Sequence, residues 1–461
     1  MQSVKSTAAG KRNKLRACGV AAAALLLGTA QVSAQENAPY SRYGLGELVP
    51  NTHVLNRGMG GISAGYANFL EVNANNPASY SAFKTFVEER SKKAISGRVL
   101  LDVGITQENR TLQSPNQTNR FSSANLYFSY VQLGIPLNRN WGLSFGLRPV
   151  SRINYKISRF DRLQNPGTGT NIDSAYTEFN GAGGANLPYI GTGYAIKNLS
   201  IGANVGYMFG RKEYDTRRSL LNDSISYYSS KHSTQSYFSG LFYNAGVQYK
   251  IDLNKKTFLR LGVSGNWKQT LNTSTDLTRE TIVRDQTNGD SRLDSAYAET
   301  DRKGEVIIPA SYTYGFVLEH QDEKGPSWLL GADLVQSKWN QYRFNGARDS
   351  VQDNWQIRVG GQWRPEPGSN YFSNVSYRLG FFTGADYIRV GRKLPQYGVS
   401  LGLGLPIANY NRLSPGQFTM LNLGFEFIGR GNNENTLKEN LFRVSAGFSF
   451  SDLWFNKRKY D

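Results

Sequence analysis

The chain has 461 residues, with 53 Lys and Arg against 35 Asp and Glu and a formal charge of +18. Five of those basic residues fall in the first 34, so the remainder carries about +13, scattered with no dense run before Lys457-Arg458-Lys459; that sets nucleic-acid binding aside. An anionic partner such as lipopolysaccharide suits the charge better. Cys18 is the sole cysteine and precedes the apolar run, which excludes a disulfide framework, a cysteine metal site and a lipid-attachment cysteine.

Residues 1–34 read as a signal peptide. Lys5, Lys11, Arg12, Lys14 and Arg16 form a positive start, Gly19 to Gly28 a short apolar run, and Val32-Ser33-Ala34 a small-residue cleavage site before Gln35. The run is well short of the roughly 20 residues of a spanning helix, and no later stretch approaches that length. A mean hydropathy of −0.48 is compatible with a membrane barrel, because half of each strand faces a polar interior. Aromatics at 13% and 48 glycines suit interfacial girdles and crowded strands.

An N-terminal segment, 35–96, follows. Its residues 36–86 are turn-rich: Gly58, Gly60 and Gly61 permit close approach or positive φ, and Pro77 fixes its own φ and biases Asn76 toward extended backbone. Such a segment is compact enough to fold inside a barrel and plug it. A plain periplasmic extension is the simpler alternative. Gly58-Met59-Gly60-Gly61 is no phosphate loop, because no Lys-Ser/Thr follows it.

From residue 97 to 461 the sequence alternates with a period of two. Trp141, Leu143, Phe145 and Leu147 oppose Gly142, Ser144 and Gly146; Leu421, Leu423, Phe425 and Phe427 oppose Asn422, Gly424 and Glu426. The pattern predicts strands at 97–110, 123–136, 140–157, 180–195, 198–215, 234–251, 257–276, 305–320, 327–344, 351–364, 371–389, 395–408, 416–430 and 438–451. Short turns (Leu137-Asn138-Arg139, Ile196-Lys197, Asp252 to Lys256) alternate with long polar stretches near 158–179, 216–233 and 277–304, which are expected as external loops. The fold class is therefore all-β: a transmembrane antiparallel β-barrel of about 14 strands with an N-terminal plug, in the bacterial outer membrane. Lipid offers no partner to bare backbone groups, so a membrane sheet must close. A soluble sandwich or propeller would have shorter strands.

Three stretches carry a resemblance: Asn37-Ala38-Pro39-Tyr40-Ser41-Arg42-Tyr43-Gly44-Leu45-Gly46, then Arg57-Gly58-Met59-Gly60-Gly61, then Asn73-Ala74-Asn75-Asn76-Pro77-Ala78-Ser79-Tyr80. Their order and spacing resemble the N-terminal region of the long-chain fatty-acid transporter (FadL-like) family, in its Bacteroidetes versions. The resemblance implies that Asn76, Pro77 and Ala78 form a hatch whose movement admits hydrophobic substrates. It also implies that a bulge at Pro149 or Pro188 opens the wall sideways, although bends without function explain those prolines and Pro309 more simply.

With the apolar face outward, Arg148, Lys250, Arg260, Asp333, Arg358, Arg364, Arg378, Glu426 and Arg443 point inward, with Asn204, Asn244, Gln248 and Gln356. Buried charges need partners, so Asp333 is expected to pair with Arg358 and Glu426 with Arg443, scaffolding the plug. A fatty-acid pocket is not evident in this lining; Phe69, Leu70 and Phe83 are the candidates for one. His53, His232 and His320 have no metal spacing, and Gly262-Val263-Ser264-Gly265 falls short of a nucleophile elbow, so neither an enzyme nor a cofactor is expected. Asp285 to Asp294 resembles a calcium loop only loosely, and ordinary loop composition accounts for it.

The leading expectation is passive uptake of a hydrophobic compound such as a long-chain fatty acid, with outer-membrane lipids and that small molecule as partners. The alternative is a non-conducting barrel subunit of an outer-membrane protein secretion or assembly complex, with other outer-membrane proteins as partners. A polar-solute porin is disfavoured by the plug.

Overall fold

The structure, a computed structural model, describes residues 37–87, 94–115, 119–164, 171–222, 227–285, 289–322, 324–408 and 418–454. The signal peptide and the Lys457-Arg458-Lys459 run lie outside them.

Nineteen strand segments form one closed antiparallel sheet, which resolves into fourteen wall strands. These are β1 (Ala94–Gln113), β2 (Arg120–Asn138), β3 (Trp141–Gln164), β4 (Asn171–Ile196), β5 (Leu199–Leu221), β6 (Ser229–Asp252), β7 (Thr257–Asn266, then Gln269–Asp285), β8 (Gly289–Ile308, then Ser311–His320), β9 (Ser327–Ser337), β10 (Asn354–Arg364), β11 (Ser376–Val390), β12 (Arg392–Ala408), β13 (Phe418–Arg430) and β14 (Lys438–Trp454). Strand β14 pairs with β1 from Lys438↔Gln113 to Trp454↔Gly97 and so closes the cylinder.

The alternation fixes which face meets lipid. On β5, Leu199, Ile201, Val205, Tyr207 and Phe209 are all exposed, while Asn204 and Met208 between them are buried. Phe145, Leu261, Phe316, Leu379, Leu401 and Phe427 repeat this exposure around the wall, an apolar belt that only hydrocarbon covers without cost. No helix among the described residues is long and apolar enough to cross a membrane.

The expected external loops prove to be mostly strand. Residues 171–179, 216–221, 229–233, 277–285 and 289–304 continue the ladders beyond the belt, so strands β3 to β8 rise into a tall wall on one side. Polar Thr, Ser and Arg residues pair as readily in a solvated two-faced sheet as in a loop, which hides such extensions from a search for apolar alternation. The Asp285–Asp294 stretch belongs to one of these hairpins, apart from its tip at 286–288, which lies outside the described residues. The opposite end carries the short turns and is the periplasmic end of such a barrel.

The three strand prolines have distinct outcomes. Pro149 sits at a register shift in the β3–β4 ladder. Pro188 lies where β4–β5 pairing lapses between Asn186↔Phe209 and Tyr189↔Gly206, as the missing N–H requires. Pro309 separates the two pieces of β8. Opposite a similar break in β7, the Gln269 side chain bonds both the N–H and the C=O of Tyr243 (2.7 and 3.0 Å), standing in for the absent ladder.

Candidate functional site

Residues 37–83 run through the lumen from the tall side to the periplasmic end, and two kinds of contact hold them. In the lower half, glycines in the wall let backbone meet backbone. Gly360 and Gly380 face the main chain of Met59 and Gly60, and a Cβ on either would overlap it. Gly60 and Gly61 have φ of +68° and +85°, which side-chain-bearing residues rarely adopt. Wall glycines Gly193 and Gly202 face Pro77 in the same way, and Gly246 faces the Asn76 side chain.

Asn76 is fully buried, donates to Ala64 O (2.7 Å) and caps the Pro77–Ala82 helical turn by accepting from Ala78 N (3.2 Å). Inward wall amides complete the seat. Asn204 Nδ2 donates to Ala74 O (3.1 Å), and Gln248 Nε2 to Ala64 O and Tyr66 O (2.8 and 3.1 Å).

The lumenal charges are satisfied differently from the expected pairs. Asp333 and Arg358 are ladder neighbours, yet the Asp333 carboxylate accepts from Ser63 N (2.6 Å) and Ala64 N (3.0 Å). Arg358 instead donates to Gln356 Oε1 (2.7 Å) and Gly61 O (3.1 Å). Glu426 and Arg443 are also ladder neighbours, but Arg443 pairs with Glu108 at 2.6 Å. At Asp333 and Arg358 lumenal backbone supplies N–H and C=O groups that outcompete a neighbouring side chain, because an unmet buried amide is costly, whereas Arg443 takes its ladder neighbour on the other side, Glu108 of β1. Arg260 reaches Ala67 O (3.3 Å), Arg378 bonds Gln362 and Asn422 (2.7 and 2.9 Å), and Arg148 bonds Asn75 (3.2 Å). Lys250 and Arg364 lie at the periplasmic rim, where they meet Asp252 (2.8 Å) and Ser327 (3.3 Å).

In the upper half a buried ion cluster joins the segment to five strands. Glu47 meets Arg430 (2.9 Å) and Arg110 (3.4 Å). Glu439 meets the same two arginines (2.9 and 3.0 Å), Asp386 meets Arg430 (2.9 Å), and Glu108 meets Arg110 (2.8 Å) and Arg152 (3.7 Å). With Arg443, four carboxylates face four guanidiniums, so the cluster is neutral. Around it lies an apolar core in which Tyr40 and Leu45 pack with Leu187, Met208, Trp339 and Tyr342. Trp339 and Tyr342 belong to the β9–β10 connection, which folds inward. Lys212 and Tyr342 both donate to Gly44 O, while Asp349 accepts from Gly44 N (2.7 Å). Sequence reasoning missed Glu47, Glu108, Arg110, Lys212, Asp386, Arg430 and Glu439; the available signal was Glu108 and Arg110 two apart on one face of the first strand.

Above Val131↔Leu147 strands β2 and β3 part, and residues 37–49 fill the seam. Glu47 and Leu48 pair with Arg152 and Ser151, Ala38 N donates to Asn154 O (2.8 Å), and Asn37 exchanges two bonds with the Lys156 main chain. A cavity of about 330 Å³ remains between the halves, lined by Asn75, Arg148, Asn244, Gln356, Arg358 and Glu426, by Leu48, Leu187 and Phe242, and on its upper side by Glu47, Asp386, Arg430 and Arg443 of the ion cluster. The candidate pocket residues do not meet there. Phe83 is buried against Val72, Tyr80 and Leu100, whereas Phe69 is 39% exposed and Leu70 half-buried at the periplasmic end.

A family model described as BamG matches residues 17–461. The chain belongs to the BamG family. Among solved structures, the Pseudomonas putida toluene transporter TodX is similar at 15% identity, over 90% of this chain and 100% of that one, with a TM-score of 0.51. A Pseudomonas aeruginosa FadL homologue is similar at 13% identity, over 90% and 100%, with a TM-score of 0.52. At these identities the likeness shows that this BamG-family chain has the FadL-like barrel fold. No curated protein matches the chain.

Proposed function

We propose that this BamG-family barrel is a closed, non-conducting subunit of an outer-membrane protein complex, acting through partners bound to its surfaces. The observation that carries this reading is the way the lumen is filled. The upper half is a protein core with a neutral buried ion cluster, and the lower half is backbone seated on glycine and bonded to buried polar side chains, a filling that interrupts an apolar route from end to end. Moving residues 37–83 would strand several buried charges, each costing several kcal/mol. The purified barrel, reconstituted in planar bilayers and in liposomes, is expected to give no steady conductance and no flux of labelled fatty acid or toluene. It is also expected to leave native membranes with stoichiometric partners. Sustained flux, or a barrel extracted free of any partner, would overturn the reading.

A second reading is uptake of a hydrophobic compound such as a long-chain fatty acid, and the β2–β3 seam favours it. That seam lies beside the Pro149 bulge and the cavity, and only residues 37–49 close it, so their withdrawal would open a lateral route with Asn76–Ala78 as the hatch. A disulfide between residues 37–49 and β3 that abolishes uptake in cells would establish this alternative.

A further inference from the structure

We propose that the periplasmic mouth is a docking face for an acidic periplasmic protein domain, which an arc of basic turns and the apolar tip of the lumenal segment hold together. The inference rests on the partner-binding reading above and names where one partner sits.

Four consecutive periplasmic turns each present an exposed basic side chain: Arg139 between β2 and β3, Lys197 between β4 and β5, Lys255 between β6 and β7, and Lys324 between β8 and β9. Among the described residues the acids of these turns are engaged locally, Asp252 by Lys250 (2.8 Å) and Asp322 by Lys256 (2.6 Å). The tall side differs: there Arg159–Asp161, Arg211–Glu213, Arg292–Glu280 and Arg392–Glu434 intersperse the two signs. The turns from β2 to β9 thus form a basic arc on this mouth, with the exposed Glu366 on the next turn, between β10 and β11, at its end, whereas the other mouth is mixed.

Inside the basic arc the lumenal segment presents Phe69, 39% exposed, with Leu70 beside it and Lys84 over the Phe69 ring at 5.2 Å. Its depth is fixed from both sides. Ala67 O receives Arg260, the fourth residue of β7, and Thr85 Oγ1 donates to Asn138 O in the first turn. Leu137 and Leu253, on two of the basic turns, are 41% and 56% exposed. Anionic lipid headgroups would satisfy the outer cations, but a leaflet does not reach a side chain inside the mouth. A protein that caps the mouth touches both, with acidic groups over the turns and an apolar spot on Phe69. An excess of basic charge along such an arc steers association and gives it a strong salt dependence.

The full-length protein is tested in its own outer membrane with Phe69→p-benzoylphenylalanine as a photo-crosslinker. A second strain adds Arg139→Glu, Lys197→Glu, Lys255→Glu and Lys324→Glu, all on exposed turn side chains. The expected result is one acidic periplasmic protein on residue 69, with a yield that falls roughly tenfold or more when the arc is reversed. An unchanged yield, adducts on phospholipid alone, or no adduct overturns the proposal. As a check independent of cells, purified barrel in phosphatidylcholine nanodiscs should bind poly-L-glutamate in a salt-sensitive manner. Binding should be lost on reversing the four turns and kept on reversing Lys231, Arg279 and Arg302 of the tall wall; equal loss in both sets overturns it. A partner that stays bound to the arc-reversed barrel defeats this inference alone, whereas no stoichiometric partner at all defeats the reading on which it rests.

Discussion

The two halves of the lumen are filled by opposite means. The periplasmic half holds its segment with glycine clefts and with hydrogen bonds from separate wall side chains such as Asn204, Gln248, Asp333 and Arg358 to its main chain, the outer half with an apolar core around four carboxylates and four guanidiniums. Glycine clefts demand shape and tolerate no added atom. A neutral ion cluster demands stoichiometry, because removing one member leaves its partners buried and uncompensated. The halves should therefore fail differently, and mutations that contrast them separate shape from charge.

The largest effect is expected in the outer half. Arg430 contacts Glu47, Glu439 and Asp386 at 2.9 Å each and is 2% exposed. Arg430→Ala should lower unfolding stability by about 3–5 kcal/mol, read from urea unfolding of the refolded barrel in liposomes. A loss below about 1 kcal/mol would mean that water enters the cluster and the outer half is not a closed core.

Shape comes next. Gly380→Ala places a methyl against the Gly60 main chain, and the positive φ at Gly60 and Gly61 leaves that turn little room to retreat. A loss of about 1–3 kcal/mol is expected, with a shifted Trp emission if the segment lifts from the wall. Asn76→Ala removes the bond to Ala64 O and the cap on Ala78 N while leaving the glycine clefts intact, and should cost about 1–2 kcal/mol. Equal losses for the two variants would show that hydrogen bonding, rather than close fit, seats the lower half.

The wall was far more legible in the sequence than its filling. Alternation is a local signal, so Leu199 to Phe209 or Leu421 to Phe427 declare strand and lipid face without reference to any neighbour. Strand count and antiparallel order followed from the rhythm of turns. The extensions above the belt escaped because Arg279, Thr281 or Tyr297 in a solvated hairpin carries no apolar period. Inward placement of Arg358, Asp333, Glu426 and Arg443 was also legible, but partner choice was not. Ladder adjacency suggested side-chain pairs, whereas the actual partners of Asp333 and Arg358 include the backbone of residues 61–64, some 270 to 300 positions away in sequence. The seam at β2–β3 was invisible for the same reason, because strand separation depends on what is inserted between strands.

The smallest predicted effect is the most discriminating, because it holds distance constant. Arg443–Glu108 and Arg392–Glu434 are both 2.6 Å ion pairs. The side chains of the first are 7% and 3% exposed, those of the second 67% and 58%. Coulomb attraction at equal separation scales inversely with the local dielectric, and exposed partners are screened and pay rotamer entropy to stay paired. Arg392→Ala should therefore change stability by no more than about 0.5 kcal/mol in the same urea assay, against several for Arg443→Ala. Because both pairs bridge elements of the outer half, a comparable loss from the two variants would show that the cluster is as wet as the surface. A dry ion cluster in the outer half would then have to be abandoned, and with it the physical basis for a non-conducting barrel.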